Sequence, residues 1–361
     1  SPGVSLNTSK NKHKLKKYKN KIITDLDLIY ILKKFTKSIV VTGTNGKSTT
    51  CKMISHLLKK NGYKILLGGN IGTPVLDLDL KKNNFLILEA SSFQLAHSQF
   101  IRPDYSLLLN ITNDHIDWHG NMKNYINSKL KIFKYQRKNH YSFLNHKLKT
   151  YFKKKKFQGK LIIPNQKNYQ KIKFSLKNSY LNSDINDENM SFVLELSKIF
   201  KISQKSFLKT MKSFVGLPHR YEIFLKKKNH IFVNDSKATS FQASKFALQN
   251  SKNIYWIVGG LPKKNDKIIL KNLKSNIIKS YLIGKNTNFF KSQIQNRLNC
   301  IVSKTLKKSI ILILKDIRIS KRKNCTILLS PASASFDQFL NFEERGEEFK
   351  KLCRYYARKY I

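Results

Sequence analysis

The feature that most constrains this fold is a glycine-rich segment, Gly43-Thr44-Asn45-Gly46-Lys47-Ser48-Thr49, placed between an apolar run and a helical pattern. The run from Ser38 to Val41 is apolar and β-branched, which predicts a strand. From Ser48 to Asn61 the apolar residues recur at helical spacing, and Gly62 predicts the end of that helix. A strand, a glycine turn and a helix N-terminus aim several backbone N–H groups at one point, which attracts anions. The segment therefore predicts a phosphate-binding loop and a nucleotide ligand.

The side chains of this loop suit a triphosphate. Lys47 supplies a point charge for the outer phosphates, and the hydroxyl of Ser48 or Thr49 is a hard ligand of the kind that Mg²⁺ prefers. The general P-loop pattern has a further glycine at the position that Val41 occupies here. The alternative is a glycine turn that starts an ordinary helix. The strand before it and the helix after it favour the nucleotide site.

Composition bounds the chain without naming a ligand. Its 361 residues are enough for two domains with proper cores, and its net charge is +49. Such a charge attracts nucleic acid. However, lysine is spread over the whole chain beside abundant Asn and Ile, a combination that AT-rich codons favour, and no nucleic-acid-binding motif accompanies it. We therefore expect no nucleic-acid partner.

The four cysteines and the apolar runs indicate the compartment. Cys51, Cys300, Cys325 and Cys353 are scattered, without paired metal-type spacing, as in proteins with reduced thiols. No secretory signal opens the sequence, and no apolar run approaches the length of a membrane span. We expect a cytoplasmic protein that does not enter a membrane.

Polar clusters follow one apolar strand-like run after another. The runs are Phe85 to Leu88, Tyr105 to Leu109, Ile231 to Val233, Tyr255 to Val258 and Thr326 to Leu329. Helical stretches separate them, which predicts α/β domains with parallel sheets. In such sheets ligands bind beyond the carboxyl ends of the strands. We therefore expect a site assembled from several strand-end loops, although each cluster alone is also compatible with a simple turn.

Four residues in or near these clusters have chemistry that a nucleotide-dependent site needs. Glu89 follows a strand directly; it either binds a metal or caps the next element. His115 either binds a metal or phosphate or is a hydrogen-bonded loop histidine. The planar fork of Arg220 suits a phosphate. Asp235 suits ribose hydroxyls or forms an Asx turn. By contrast, Lys129 on a predicted helix is expected from chemistry alone to face solvent.

Taken together, these segments resemble the Mur ligase family of peptidoglycan synthesis. The matching signatures, in family order over nearly the whole chain, are 42–49, 69–72, 88–95, 113–117, 216–222, 234–239, 329–339, 341–343 and 345–346. The phosphate loop is shared by all Mur ligases and by folylpolyglutamate synthase. The last three signatures are more specific to the members that add D-glutamate to UDP-N-acetylmuramoyl-L-alanine. The Asp-Asn-Pro-Arg motif of the diaminopimelate- or lysine-adding members is absent.

The resemblance implies a fold and a reaction. A parallel-sheet, P-loop ATPase-like central domain at residues 28–216 would precede a Rossmann-like, amino-acid-binding domain at 217–361, with the junction near Gly216-Leu217-Pro218. ATP and Mg²⁺ would drive an amide ligation through an acyl phosphate, in a monomer. The rivals are another Mur-type or folylpolyglutamate-type ligase and, more remotely, a basic P-loop protein that binds nucleic acid.

The resemblance also implies roles for single residues. Lys47, His115 and Lys129 would be catalytic, and Lys129 would be carbamylated. The metal ligands would be Ser48, Glu89, His115 and the Lys129 carbamate. ATP would be bound by Gly43, Thr44, Asn45, Gly46, Lys47, Ser48, Thr49, Asn186, Asn189, Arg220 and Asp235. Asn70 and Ser91 would contact the muramoyl-alanine part, and the contacts to D-glutamate would be Thr239, Lys263, Ser335, Phe336 and Phe342.

The sequence departs from the family pattern in three places. Leu261-Pro262 stands where many relatives carry a polar pair, and Ala90 replaces a more usual leucine. The chain starts with Ser1-Pro2-Gly3, a tripeptide that in the family closes an N-terminal uridine-binding domain. Residues 1–27 are therefore expected to be the remnant or linker of that domain. This start indicates either a fragment, active or inactive, or a mis-called start, and the 361-residue chain should bind ATP but bind the uridine nucleotide poorly.

Overall fold

The computed structural model describes residues 17–18, 21–32, 35–178, 180–182, 185–263, 266–270 and 272–361. They divide into two compact units, with the division between Val215 and Gly216. Each unit contains a six-stranded sheet with helices packed on it. None of the helices in the described part of the chain is both long enough and apolar enough to span a membrane.

The first unit is built on a wholly parallel sheet. Its strands are β1 (Lys37–Thr42), β2 (Ile65–Gly69), β3 (Phe85–Glu89), β4 (Tyr105–Leu108), β5 (Tyr141–Leu144) and β6 (Lys160–Ile162). Its helices are α1 (Asp25–Leu32), α2 (Lys47–Lys60), α3 (Ser92–His97), α4 (Ile116–His119), α5 (Met122–Leu130), α6 (Lys149–Lys154), α7 (Gln166–Lys173), α8 (Ile185–Ile199) and α9 (Gln204–Lys212). Short 3₁₀ turns occupy Val75–Asp77, Lys131–Phe133, His146–Leu148 and Phe174–Leu176.

The strand order β2-β3-β1-β4-β5-β6 places β1 in the interior of this sheet. Five of its six residues are buried, which explains why its sequence is a continuous apolar run rather than an alternating one. The chain leaves β1 towards β2 on one side and later returns to β4 on the other side. The topological switch point therefore lies at the carboxyl end of β1, where a ligand site is expected. The predicted strand and helix around the phosphate loop are confirmed as β1 and α2.

The second unit contains one antiparallel edge strand beside five parallel ones. Its strands are β7 (Glu222–Lys227), β8 (His230–Asn234), β9 (Ile254–Gly259), β10 (Ile277–Ile283), β11 (Cys300–Lys304) and β12 (Thr326–Leu329). Its helices are α10 (Phe241–Gln249), α11 (Thr287–Ile294), α12 (Leu306–Ser320) and α13 (Phe342–Tyr360), with a 3₁₀ turn at Lys274–Asn276. The strand order is β11-β10-β9-β12-β8-β7, and β7 runs antiparallel to β8.

Both faces of the second sheet are covered by helices. Trp256 and Val258 of β9 belong to a core with side chains of α10 and α11, whereas Tyr255 and Ile257 belong to a core with α12 and α13. The switch point lies between β9 and β12, because β10 and β11 extend the sheet on one side of β9 before β12 pairs on its other side. The predicted α/β class with parallel sheets is confirmed. The assignment of an ATP-binding and an amino-acid-binding domain stays a prediction.

Asp27 anchors helix α1 to the rest of the first unit. Helix α1 begins at Asp25, earlier than the predicted domain start at residue 28. The buried Asp27 carboxylate accepts hydrogen bonds from Thr24 N (2.9 Å), Ser98 Oγ (2.6 Å), Gln99 N (2.8 Å) and Phe100 N (2.7 Å). One carboxylate thus joins the start of α1 to the turn that follows α3. The predicted linker 1–27 therefore contains at least three residues, Asp25 to Asp27, that belong to the packed unit.

Replacing Asp27 should destabilise the first unit. Asp27→Ala leaves buried N–H groups without an acceptor, and we expect a loss of roughly 3 kcal/mol in the free energy of unfolding. Urea denaturation monitored by circular dichroism measures it. The control is Asp79→Ala, because Asp79 is 75% exposed in a surface ion pair with Lys81. Equal midpoints for the two variants would contradict the role given to Asp27.

Candidate active site

The phosphate loop connects β1 to α2 and depends on its two glycines. A Cβ on Gly43 would lie 3.1 Å from Leu109 Cβ and 3.3 Å from Asn110 N, at the end of β4. Gly46 caps α2 in the left-handed conformation (φ 81°), and a Cβ there would lie 2.2 Å from Asn189 Oδ1. The left-handed φ favours glycine at position 46, and a side chain at position 43 would crowd the backbone that follows β4. Ser48 and Thr49 follow in the first turn of α2, and both are buried.

Asn110 holds the loop in shape. Its carbonyl accepts from Thr44 N (2.9 Å), and its side-chain Oδ1 accepts from Asn45 N (2.9 Å). Its Nδ2 donates to Glu188 Oε2 (2.8 Å) on α8, and Asn145 donates to the other oxygen of that carboxylate. Sequence reasoning assigned no role to Asn110. The signal was its place directly after the apolar run that ends at Leu109.

Two lysine side chains donate to one carbonyl oxygen of this loop. Lys47 Nζ lies 3.0 Å from Gly43 O and 2.8 Å from Thr44 O. Lys129 Nζ, from α5, lies 2.8 Å from the same Gly43 oxygen, and it sits 4.8 Å from the centroid of the Tyr125 ring. The loop is therefore strongly cationic where phosphates are predicted to bind.

Lys129 is buried, so the expectation from chemistry that it faces solvent is wrong. Only 2% of the residue is exposed. Burial lowers the pKa of its amine well below the ordinary value, the neighbouring Lys47 lowers it further, and Asp114 and Glu89 act in the opposite direction. Helix α5 points this side chain at the loop because Tyr125, one turn earlier, is anchored by a hydrogen bond between its hydroxyl and Thr44 Oγ1 (2.9 Å).

Glu89 places a carboxylate beside the loop at the end of β3. It pairs in register with Val41 of β1 and is 2% exposed. Its Oε1 accepts from Asn70 Nδ2 (2.9 Å), whereas its Oε2 is buried without a hydrogen-bond partner among the described residues. A buried carboxylate oxygen without a partner is costly, and a cation would satisfy it. Glu89 therefore fits the predicted metal.

The described residues do not by themselves form a complete metal cage. No group of three or more His, Cys, Asp or Glu side chains with metal-binding geometry is found among them. This agrees with the composition of the predicted ligand set, which contains only Glu89 and His115 from those four residue types. The remaining ligands in that set are a hydroxyl and a carbamate.

His115 precedes α4 in a strained conformation. Its φ of 54° is in the left-handed region, which is unusual for a non-glycine residue and is concentrated at functional sites. Its Nε2 lies 3.4 Å from Asp114 Oδ2, and its ring centroid lies 4.7 Å from that of Phe93. A histidine oriented by a carboxylate suits a metal ligand and equally suits a loop hydrogen bond.

Three further predicted residues of the first unit have structural partners. Ser91 is the N-cap of α3 in a capping box, and its Oγ accepts from Gln94 N (3.2 Å). Asn186 is buried and donates to Tyr180 O (2.8 Å), whereas Asn189 lies against Gly46. Asn70 donates to Glu89, as described. The structure thus brings Asn70 and Asn189 to the loop region, and Ser91 has the function of a helix cap.

In the second unit, Asp235 follows β8 and is held by two donors. Its Oδ2 accepts from Ser330 Oγ (2.6 Å), and its Oδ1 accepts from Tyr221 N (3.0 Å). Burial raises the pKa of this carboxyl to about 7, against the opposing effects of Ser330, Tyr221 and Arg220. Arg220 lies between two left-handed residues, His219 (φ 60°) and Tyr221 (φ 47°). The Asp235 carboxylate thus joins the ends of β8 and β12 and the segment at Tyr221.

The residues predicted to receive D-glutamate follow three strands of the second sheet. Thr239 follows β8, Lys263 follows β9, and Ser335 and Phe336 follow β12. Ser335 is buried, Thr239 is half-buried, and Lys263 and Phe336 are exposed. Two of the three loops are joined directly, because Leu261 and Ala334 exchange backbone hydrogen bonds (3.0 and 2.9 Å).

Phe342 begins α13 beside the loop that follows β8. Lys237 Nζ lies 3.6 Å from the centroid of the Phe342 ring. The Phe342 carbonyl accepts a hydrogen bond from Ser236 Oγ (2.8 Å). The predicted amino-acid residues are therefore grouped at the carboxyl edge of the second sheet, around its switch point.

Comparisons with known proteins agree with this architecture. The sequence profile of the Mur ligase middle domain matches residues 41–218. The UDP-N-acetylmuramoylalanine--D-glutamate ligase of Rickettsia felis is 35% identical over 98% of this chain and 83% of its own length. The enzyme of the same name from Buchnera aphidicola subsp. Schizaphis graminum is 37% identical over 92% of this chain and 78% of its own length.

Solved structures share the fold at low identity. The MurF ligase from Thermotoga maritima in complex with ADP aligns with a TM-score of 0.65 and 16% identity, over 93% of this chain and 85% of that one. Escherichia coli FolC in complex with ADP aligns with a TM-score of 0.62 and 14% identity, over 99% of each chain. On the strength of the sequence relatives, this chain belongs to the Mur ligase family, in the group of the UDP-N-acetylmuramoylalanine--D-glutamate ligases.

Proposed function

We propose that this chain joins D-glutamate to UDP-N-acetylmuramoyl-L-alanine, with ATP as the phosphoryl donor. The observation that carries the proposal is the glycine-shaped phosphate loop with two lysine amines on the Gly43 carbonyl, in a chain related throughout to ligases of that name. We expect the reaction to take place in the cytoplasm, and we expect the chain to act as a monomer without nucleic acid.

The chemistry requires that a carboxylate become an electrophile. An oxygen of the alanine carboxylate attacks the γ-phosphorus of ATP, the bond from that phosphorus to the bridging oxygen breaks, and ADP leaves. The D-glutamate amine then attacks the carbonyl carbon of the acyl phosphate. The C–O bond to phosphate breaks, inorganic phosphate leaves, and the amine gives up a proton as the amide forms.

The first unit supplies the phosphoryl-transfer residues. Backbone N–H groups of the loop and the N-terminus of α2 bind phosphate oxygens, and Lys47 moves its hydrogen bonds from loop carbonyls to the outer phosphates. Asn186 and Asn189 of α8 would contact the nucleotide. Two Mg²⁺ ions, one at Ser48 and a second at Glu89, His115 and a carbamylated Lys129, would neutralise charge on the transferring group.

Burial prepares Lys129 for carbamylation. An amine adds to carbon dioxide only in its neutral form, and burial and Lys47 both lower the pKa of the Lys129 amine. One proton leaves when the ammonium becomes the neutral amine, and a second leaves when the N–C bond to carbon dioxide forms, so that overall a cation is converted into an anion. Two like charges near Gly43 O are thereby replaced by an ammonium and a carboxylate, which attract each other.

The second unit supplies the nucleotide and amino-acid contacts. Arg220 would contact a phosphate, and Asp235 would accept from ribose hydroxyls. Thr239, Lys263, Ser335, Phe336 and Phe342 would receive D-glutamate, and Asn70 and Ser91 of the first unit would contact the muramoyl-alanine substrate. The alternative ligases of the same fold would need a different pocket at Ser335, Phe336 and Phe342. Phosphate release that depends on D-glutamate, rather than on another amino acid, separates them.

Removing the Lys47 amine should abolish ligation without unfolding the chain. We expect Lys47→Ala to lower D-glutamate-dependent phosphate release by about 10³-fold or more, because charge on the transferring phosphoryl group loses its partner. The melting temperature should change little, because the Lys47 amine donates to loop carbonyls and its side chain is not part of the buried apolar core. Lys60→Ala at the far end of α2 is the control. Wild-type-like ligation by Lys47→Ala would overturn the assigned role.

Neutralising Glu89 should weaken Mg²⁺ binding. Glu89→Gln keeps the shape and the hydrogen bond to Asn70 but removes the charge of the buried oxygen, and we expect about a tenfold rise in the Mg²⁺ dissociation constant. Calorimetric titration of Mg²⁺ in the presence of a non-hydrolysable ATP analogue measures it. Asp79→Asn, at an exposed carboxylate, should leave the constant unchanged. An unchanged constant in Glu89→Gln would remove Glu89 from the ligand set.

Carbamylation of Lys129 should be visible directly. In carbon-13 bicarbonate we expect the protein to give a carbamate resonance that Lys129→Met lacks. Lys173→Met is the matched control, because Lys173 is also buried but is paired with Asp187 (2.9 Å). It should keep the resonance. Identical spectra for wild type and Lys129→Met would contradict the assignment.

A further inference from the structure

Arg345 is a buried cation on the first turn of α13. It is 1% exposed. Its Nε donates to Ser236 Oγ (3.0 Å), and its Nη2 donates to the carbonyl oxygens of Ser236 (2.8 Å) and Ser333 (3.0 Å). None of the ion pairs found among the residues that the structure describes involves Arg345. Its partners are therefore main-chain and hydroxyl oxygens.

These oxygens belong to two separate strand-end loops. Ser236 lies in the loop that follows β8, and Ser333 lies in the loop that follows β12. A third loop, after β9, packs against them at Gly260. Gly260 is in a conformation that favours glycine (φ 134°), and a Cβ there would lie 2.6 Å from Ser333 Oγ and 3.4 Å from Arg345 Nη1. Three strand ends thus meet around one guanidinium group.

Each of these loops carries a residue predicted to contact D-glutamate. Thr239 follows Ser236 in the first loop, Lys263 follows Gly260 in the second, and Ser335 follows Ser333 in the third. None of these three side chains touches Arg345 in the hydrogen bonds described above. The hydrogen bonds of Arg345 therefore act on the loops that carry these residues.

We propose that Arg345 is a positioning residue for the amino-acid pocket, where its guanidinium sets the relative positions of the loops that carry Thr239, Lys263 and Ser335. The inference rests on the proposed function for the identity of the ligand. That Arg345 holds the loops together is inferred from its hydrogen bonds alone and does not depend on the ligand.

Arginine suits this role better than lysine. Its planar fork donates in fixed directions, so that one side chain bonds two carbonyl groups at a defined separation, whereas a lysine ammonium is a point charge on a flexible stem. Burial lowers the pKa of the Arg345 guanidinium to about 10, and Asp337 opposes the shift, so the group remains a cation at neutral pH. Carbonyl dipoles satisfy its N–H groups without cancelling its charge. The positive field that remains favours a dicarboxylate ligand.

Amide hydrogen exchange tests the holding of the loops without requiring any ligand. The amides of Lys237, Ala238 and Ala334 are hydrogen-bonded within or between these loops and their neighbours. We expect them to exchange about tenfold faster in Arg345→Met than in the wild type. In Arg345→Lys we expect an increase nearly as large. The control is Lys279→Met, which also removes one half-buried positive charge. Lys279 lies on β10 and forms an ion pair with Asp316 (2.6 Å), and its replacement should leave the exchange rates of these amides unchanged.

Unchanged exchange in both Arg345 variants would overturn the proposal. Faster exchange in Lys279→Met to the same extent would also overturn it, because the effect would then follow general destabilisation of the unit. Urea midpoints for all variants ensure that the comparison is made on folded protein. Arg345→Lys keeps the test open if Arg345→Met does not fold.

Steady-state kinetics test the consequence for the amino acid. We expect the KM for D-glutamate to rise about tenfold in Arg345→Met while the KM for ATP stays within about twofold. Arg345→Lys should resemble Arg345→Met, because the fork geometry is lost although the charge is kept. Full recovery of the D-glutamate KM by lysine would overturn positioning in favour of a purely electrostatic role. Absence of D-glutamate-dependent phosphate release in the wild type would overturn the proposed function, while the exchange result still decides whether Arg345 holds the loops.

Discussion

The first unit depends on the crowding of positive charge around one carbonyl oxygen. Lys47 and Lys129 both donate to Gly43 O, and Lys129 does so from a buried position. Burial lowers the pKa of the Lys129 amine well below its ordinary value, and repulsion from the neighbouring Lys47 ammonium lowers it further. Anionic phosphates bound at the loop would relieve the repulsion, as would conversion of Lys129 into an anion. The arrangement is thus poised for the ligand that the glycine pattern predicts.

In both sheets, two strand-end loops approach each other closely at a glycine. In the first sheet the loop after β1 meets the loop after β4, and Gly43 allows the backbones to approach closely. In the second sheet the loop after β9 meets the loop after β12, and Gly260 has the corresponding position. Each contact lies at the switch point of its sheet, where the crevice between diverging connections leaves room for a ligand. Glycine at these positions follows from backbone proximity.

Local patterns predicted the fold and part of the site. A buried central strand such as β1 is recognised by its continuous apolar run. Gly43 and Gly46 mark the loop because a side chain at either position would meet close neighbours. Lys129 could not be predicted from chemistry, since burial of its amine depends on how α5 packs on the loop, and a solvated helical lysine has the same local sequence. Only its resemblance to a family position indicated it. For Ser91 the sequence was ambiguous in the opposite way. A hydroxyl residue after a strand is typical both of a helix N-cap and of a substrate contact, and the structure shows Ser91 as the N-cap of α3.

Lys47, Lys129 and Arg345 share a property that their sequence contexts do not reveal: each donates to main-chain carbonyl oxygens. A carboxylate partner would have satisfied the same N–H groups and would also have cancelled the charge, as it does for Lys173 with Asp187. Carbonyl groups fix the position of a cation and leave its field available to an incoming anion. The substrates of the proposed reaction are a triphosphate, a carboxylate and a dicarboxylate, and all of them are anions. Holding these cations with main-chain dipoles therefore leaves both units ready to bind such anions, at the cost of desolvating the buried charges.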